Sequence, residues 1–156
     1  MKKNILVPFD GSKNATEALH LAINMAKLMQ EKVVVLNIQP SFHSIHTKMF
    51  FSETAVHEYQ EQLFRETVVA AEEILRNAGV EYELKLRIGD AKEQICLEAN
   101  GDNPAQDGCS LTGIRLIVMG SRGMNPVLGG VLGSVSYGVV NAAPCPVTIV
   151  PYSCNE

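Results

Sequence analysis

The sequence predicts an α/β fold: a single domain built as a doubly wound three-layer sandwich around a five-stranded parallel sheet. Three observations carry this expectation. Short β-branched runs alternate along the chain with longer stretches of helical period. Most of those runs are continuously apolar, as strands covered on both faces are. Each pair of runs is separated by enough chain for a right-handed helical crossover.

The first strand is read over residues 4–9, ending at Asp10-Gly11-Ser12. A helix follows from Asn14 to Met29, with Ala15, Ala18, Leu19, Ala22, Ile23, Ala26 and Met29 on one stripe and Ser12 as its cap. Val33 to Ile38 is the second strand. Gln39 to Phe51 has no clear period and reads as a long loop. Glu53 to Ala78 contains neither Gly nor Pro and places Val56, Tyr59, Leu63, Ala70, Ile74 and Ala78 on one helix face, with Gly79 as the stop. Tyr82 to Ile88 alternates apolar and charged residues, as an edge strand with one partly wet face does. Gly89-Asp90 turns into a short helix, Ala91 to Ala99. Residues 100–113 hold four glycines or prolines and read as an irregular surface excursion. Leu116 to Met119 is the fourth strand and Pro146 to Val150 the fifth.

Composition narrows the function. The chain has 156 residues, and 13 basic against 17 acidic side chains leave a net charge of −4, which disfavours sequence-independent nucleic-acid binding. No apolar run reaches the ~18 residues of a membrane span. Met1-Lys2-Lys3-Asn4 leads straight into a strand with no signal-peptide core, so a cytoplasmic location is expected. The cysteines at 96, 109, 145 and 154 have no metal-ligand spacing and read as free thiols. Cys145, between two prolines, reads as a buried, inert one. His43 and His46 lack an apparent third ligand and read as surface residues.

The informative stretch is 116–136. A buried strand runs into Gly120 and Gly123. A loop with Asn125-Pro126 and Gly129-Gly130 follows, and Gly133-Ser134 opens a helix with Ser134 near its N-cap. Glycines admit a ligand close to the backbone, and the first N–H groups of a helix lack internal partners at the positive end of its dipole. Together they form an anion site. Neither the Gly-x4-Gly-Lys-Ser/Thr nor the Gly-x-Gly-x-x-Gly pattern is present. The spacing that stands is Gly120-x2-Gly123-x9-Gly133-Ser134.

That spacing resembles the nucleotide-binding signature of the universal stress protein family, in its ATP-binding branch. The phrases Ile5-Leu6-Val7-Pro8-Phe9-Asp10-Gly11-Ser12, Leu132-Gly133-Ser134-Val135 and Ala143-Pro144-Cys145-Pro146-Val147 extend the resemblance over nearly the whole chain. Residues 100–113 are the exception. They form an insertion of roughly ten residues next to Arg115, where the family usually runs directly into the strand, often after an acidic residue. The resemblance implies an adenine nucleotide α-hydrolase-like fold with strand order 3-2-1-4-5. The first and fourth strands are then neighbours, and the ends of both, Asp10 and Gly120, meet at the topological switch point.

On this reading Gly120, Gly123, Gly133 and Ser134 surround a triphosphate, with Val135 and Ser136 adding first-turn donors. The other reading of the glycines is a turn with close helix–strand packing. Arg122 is either a phosphate partner or a solvated side chain. Pro8 and Asp10 match the family's pocket-lining Pro-x-Asp. Asp10 would bond ribose hydroxyls or help hold Mg²⁺ or Mn²⁺ between phosphates, or else only cap its turn. Ile38 matches the position whose backbone meets adenine, and Met119 an apolar wall that plain core packing also explains.

The expected function is thus a regulatory protein of the stress response that binds ATP, or AMP or ADP, and acts by occupancy on a protein partner the sequence does not name. No catalytic base, arginine finger or γ-phosphate lysine is identifiable, so hydrolysis would be slow at most. The resemblance also implies a homodimer through residues 146–150, whose apolar edge antiparallel pairing would cover. Two alternatives stand beside it: a slow ATPase or nucleotidyl-transfer enzyme on the same scaffold, and a nucleotide-free adaptor dimer.

Overall fold

The structure is a computed structural model that describes residues 3–42, 44–101, 113–123 and 132–152. Its elements follow the order β1 (Asn4–Pro8), α1 (Lys13–Met29), β2 (Lys32–Gln39), α2 (Ile45–Phe50), α3 (Glu53–Ala78), β3 (Tyr82–Ile88), α4 (Ala91–Asn100), β4 (Ile114–Gly120), α5 (Ser134–Ala142) and β5 (Val147–Val150). The strands form one sheet in the order β3-β2-β1-β4-β5, all pairs parallel. This is the doubly wound α/β fold with the 3-2-1-4-5 order.

Period-2 alternation divides the core into two layers. Ile5, Val7, Val33, Val35, Leu116 and Val118 pack with Ala15, Ala18, Leu19, Ala22 and Ile23 of α1 and with Ala71 and Leu75 of α3. Leu6, Val34, Leu36, Ile117 and Met119 pack on the other face with Ile95 and Ala99 of α4 and Val139 of α5. The helices after β1 and β4 therefore leave on opposite faces, which opens a crevice beyond the strand ends. The register between β1 and β4 shifts at Asn4/Ile5, where Ile114 and Leu116 flank an extra residue. That residue is Arg115. Its Nε donates to the buried Glu31 carboxylate at 2.6 Å.

Several boundaries differ from the sequence reading. Ser12 caps α1 as expected, its Oγ accepting from Ala15 N–H. The stretch expected as a loop from 39 to 51 continues β2 through Gln39 and holds α2, which Ser44 caps. The helix is six residues long, and among its described side chains none is buried: Met49 and Phe50 are 72% and 75% exposed. α3 has the expected bounds, and Gly79 ends it at φ +68°. Its buried line, however, is Gln60, Val68, Ala71 and Leu75. Tyr59 is 53% exposed and Ala70 is exposed, because the helix is turned by about one residue from the predicted face. α4 extends to Asn100, and β5 begins at Val147. Of the insertion, residues 102–112 lie outside the described residues, as do His43 and the side chain of His46.

β3 is an edge strand, and its residues are all half-buried. Its charged face is partly covered. Glu98 of α4, itself buried, accepts from Lys85 Nζ at 2.7 Å and from Arg87 Nε at 2.6 Å. Burial alone would raise the Glu98 carboxyl; the two cations outweigh it and hold it below its ordinary range. Among the described residues no helix is long and apolar enough to cross a membrane.

Candidate functional site

The ends of β1, β2 and β4 open into a cavity of about 470 Å³. At the end of β1, the Phe9 N–H donates to Leu36 C=O, the last rung between β1 and β2. The chain then turns. Asp10 Oδ1 accepts from Ser12 N–H at 2.9 Å, and Gly11 takes φ +83°, a conformation L side chains rarely adopt. The other oxygen, Oδ2, faces Gly123: a Cβ there would sit 3.0 Å from it. Asp10 is exposed and so keeps one carboxylate oxygen toward the cavity side while the other holds the turn.

On β2, Ile38 lies two residues past Leu36. Alternate residues of a parallel strand direct N–H and C=O to the same side, so those of Ile38 point along the β1 side, beyond the last rung. Met119 belongs to the core layer and lines the cavity as well, so its two readings describe one side chain.

β4 ends at Gly120, whose lack of a side chain is required by Asn14: a Cβ would lie 2.5 Å from Asn14 Oδ1. Ser121 C=O then accepts from Gly133 N–H at 2.7 Å and from Ser136 Oγ at 2.7 Å. These two bonds bring the start of α5 to the end of β4. Gly133 is the N-cap, with φ −72° and ψ 171°, and no side chain caps the helix. Ser134, expected near the N-cap, is the first helical residue and is exposed. The first intrahelical bond runs from Tyr137 N–H to Gly133 C=O. The N–H groups of Ser134, Val135 and Ser136 precede it, so they have no partner inside the helix. The Ser136 hydroxyl is buried and donates to the carbonyls of Ser121 and Gly133.

All ten candidate residues, Pro8, Asp10, Ile38, Met119, Gly120, Gly123, Gly133, Ser134, Val135 and Ser136, line this one cavity, and Arg122 lines it too. The chemistry of the wall is divided. Leu36, Ile38, Ala91, Ile95 and Met119 make an apolar side, and Asp10, Arg122 and the start of α5 a polar one. An apolar cleft with a few convergent polar groups is the ordinary form of a small-molecule site. Among the described residues no group of three or more His, Cys, Asp or Glu side chains is arranged for a metal. A divalent ion here would have Asp10 as its one carboxylate ligand. That suits Mg²⁺ held mainly by phosphate oxygens and water.

Sequence reasoning missed Ala91 and Ile95 of α4, Ser121, and above all Asn14. Asn14 is wholly buried and lies four residues before Ala18, on the apolar stripe of α1. A polar residue on a core stripe was the available signal. Cys96 and Cys145 are free and half-buried, and burial pushes both thiols up, which makes them weak nucleophiles.

Residues 1–151 match the sequence model of the universal stress protein family. A universal stress protein of Staphylococcus aureus is 31% identical, covering 95% of this chain and 83% of its own. The solved universal stress protein UspA from Lactobacillus plantarum is 25% identical, covers 95% of this chain and 97% of its own, and superposes with a TM-score of 0.75. A universal stress protein from Archaeoglobus fulgidus, solved in complex with dAMP, is 22% identical over 96% of this chain and 97% of its own, TM-score 0.62. A family member from Arabidopsis thaliana, solved with AMP bound, is 18% identical over 97% of this chain and 93% of its own, TM-score 0.64.

Proposed function

The chain belongs to the universal stress protein family, and from that premise we propose that it is an adenine-nucleotide-binding regulatory protein of the stress response, with ATP its preferred ligand. The observation that carries this reading is the alignment of a strand end, glycines 120, 123 and 133, and the free N–H groups of α5 on one wall of the cavity. Similar proteins solved with dAMP and AMP bound lend support.

In this reading the base lies between Ile38, Ile95 and Met119, and the N–H and C=O of Ile38 read the adenine edge. The phosphates meet the N–H groups of Ser134, Val135 and Ser136, where the helix dipole favours negative charge. Ser134 Oγ and Arg122 add polar contacts. Asp10 takes either a ribose hydroxyl or Mg²⁺. The ion, when bound, neutralises phosphate charge. Among the described residues the cavity wall carries one carboxylate and no lysine or histidine. Phosphoryl transfer needs positioned groups of that kind, so the protein acts by occupancy and hydrolyses ATP slowly at most. The outer edge of β5, which among the described residues pairs with β4 alone, is where a second copy adds antiparallel to form a homodimer.

The test is to denature freshly purified protein and identify the released small molecules by mass spectrometry, then follow ATP in the intact protein with Mg²⁺. Stoichiometric ATP that persists for hours is expected. Protein-dependent ADP formation at an enzymatic rate would replace occupancy with catalysis. No nucleotide, together with no thermal shift on adding ATP, would refute the assignment.

A further inference from the structure

Ser121 joins five groups. Its N–H donates to Val150 C=O at 2.9 Å and its C=O accepts from Gly133 N–H and Ser136 Oγ, both at 2.7 Å, while its Oγ accepts from Tyr152 N–H at 3.0 Å and donates to Asn14 Oδ1 at 3.4 Å. Asn14 runs a parallel connection. Its Oδ1 accepts from Arg122 N–H at 3.0 Å, and its Nδ2 donates to Val150 C=O at 3.1 Å and Pro151 C=O at 3.4 Å. Both residues are buried, as is Ser136. The start of α5 therefore hangs on the Ser121 carbonyl, and the end of the edge strand β5 on the Ser121 N–H and hydroxyl and on the Asn14 side chain. Pro151 has no N–H, so the ladder cannot carry on past Val150 through it. Residues 151 and 152 are held by Asn14 and Ser121 instead.

We propose that Ser121 and Asn14 are positioning residues that couple ligand occupancy at the α5 N-terminus to the order of the sheet's C-terminal edge at residues 150–152. The proposal rests on the nucleotide reading above. A phosphate held by the N–H groups of residues 134–136 fixes Gly133 and Ser136. These two hold the Ser121 carbonyl, and Ser121 holds Val150 and Tyr152. The element with two states is the edge segment, which either docks on the junction or opens locally. Coupling of this kind is reciprocal: an edge that is docked tightens the ligand by the factor with which the ligand tightens the edge. Tyr152 does not line the cavity, so an effect of its N–H on nucleotide affinity has no direct route.

The experiment measures amide hydrogen exchange at Tyr152 and at residues 134–136, with and without saturating ATP, and ATP affinity by calorimetry on the same samples. In the native protein ATP is expected to slow Tyr152 exchange by about tenfold, within the usual range of intramolecular coupling. Ser121→Ala removes only the hydroxyl; Tyr152 exchange should become fast and indifferent to ATP, while residues 134–136 remain protected by ATP. Tyr152→Pro deletes the N–H without touching the core, and ATP affinity should fall by the same factor of about ten. ATP binding that leaves Tyr152 exchange unchanged in the native protein would overturn the coupling and leave the nucleotide reading standing. Absence of both heat and protection at 134–136 would overturn the nucleotide reading and the coupling with it. Unaltered affinity in Tyr152→Pro would also sink the coupling.

Discussion

Gly120→Ala and Asn14→Ala together test whether one side chain joins the helix, the glycine loop and the sheet edge. An alanine at 120 would bring Cβ to 2.5 Å from Asn14 Oδ1 and 2.6 Å from Cγ. Asn14 has no solvent to move into, since it is wholly buried and bonded to Arg122 N–H and Val150 C=O. Overpacking of this kind costs about 1–3 kcal/mol. Displacing Asn14 also loses its two stronger hydrogen bonds, at about 1 kcal/mol each. Gly120→Ala should therefore destabilise by about 3–5 kcal/mol. Asn14→Ala alone loses the same two bonds, about 2 kcal/mol. In the double variant the new methyl occupies the space that Asn14 vacates. Its cost should match that of Asn14→Ala, so the cycle should show a coupling of about 2 kcal/mol or more. Urea unfolding of the four proteins measures each value. Effects that add to within about 0.5 kcal/mol would refute the close approach of Gly120 and Asn14.

Gly133→Val should abolish ATP binding by calorimetry while circular dichroism stays native. The backbone at 133 tolerates a side chain, and the Cβ would meet Ser121 C=O at 3.3 Å, so the stability loss should be only about 1–2 kcal/mol. Glu98→Gln should destabilise by about 2 kcal/mol at neutral pH through its bonds to Lys85 and Arg87. The Glu98 carboxyl is held below its ordinary value, so its contribution is present above the unfolded-state pKa of about 4.3 and vanishes as pH falls through the lower folded one. Native and variant melting temperatures should thus converge in acid; a gap that persists at pH 2 would reject the ion-pair account. Ile149→Lys on β5 should convert the expected dimer to monomer by light scattering, and a persistent dimer would move the interface away from this edge.

Local chemistry explains which parts of the fold were legible. α1 and α3 could be bounded because Ser12 and Gly79 punctuate them, and because neither interior holds a breaker. α2 was not legible as a helix: six residues give too short a window for a period, and Met49 and Phe50 in its last turn face solvent. The face of α3 was misplaced because it mixes apolar and polar residues all round. Gln60 is buried and donates to Pro40 C=O, while Tyr59 is exposed. In the cavity, glycine spacing and the Pro8–Asp10 phrase marked which residues assemble. The roles of Ser121, Ser136 and Asn14 were hidden, since each depends on a partner far away in sequence. Asn14 and Val150 are 136 residues apart, and no local pattern carries such a bond.

α4 begins with Ala91 in the cavity wall and ends at Asn100, and β4 begins at Ile114, where Gly113 C=O accepts from Asn4 N–H. The chain thus leaves α4 and re-enters β4 at the foot of the sheet, at the opposite pole from the cavity. A fluorophore attached at Gly113 would sit a strand's length from the crevice, so that a change at one end of the sheet could be followed from the other.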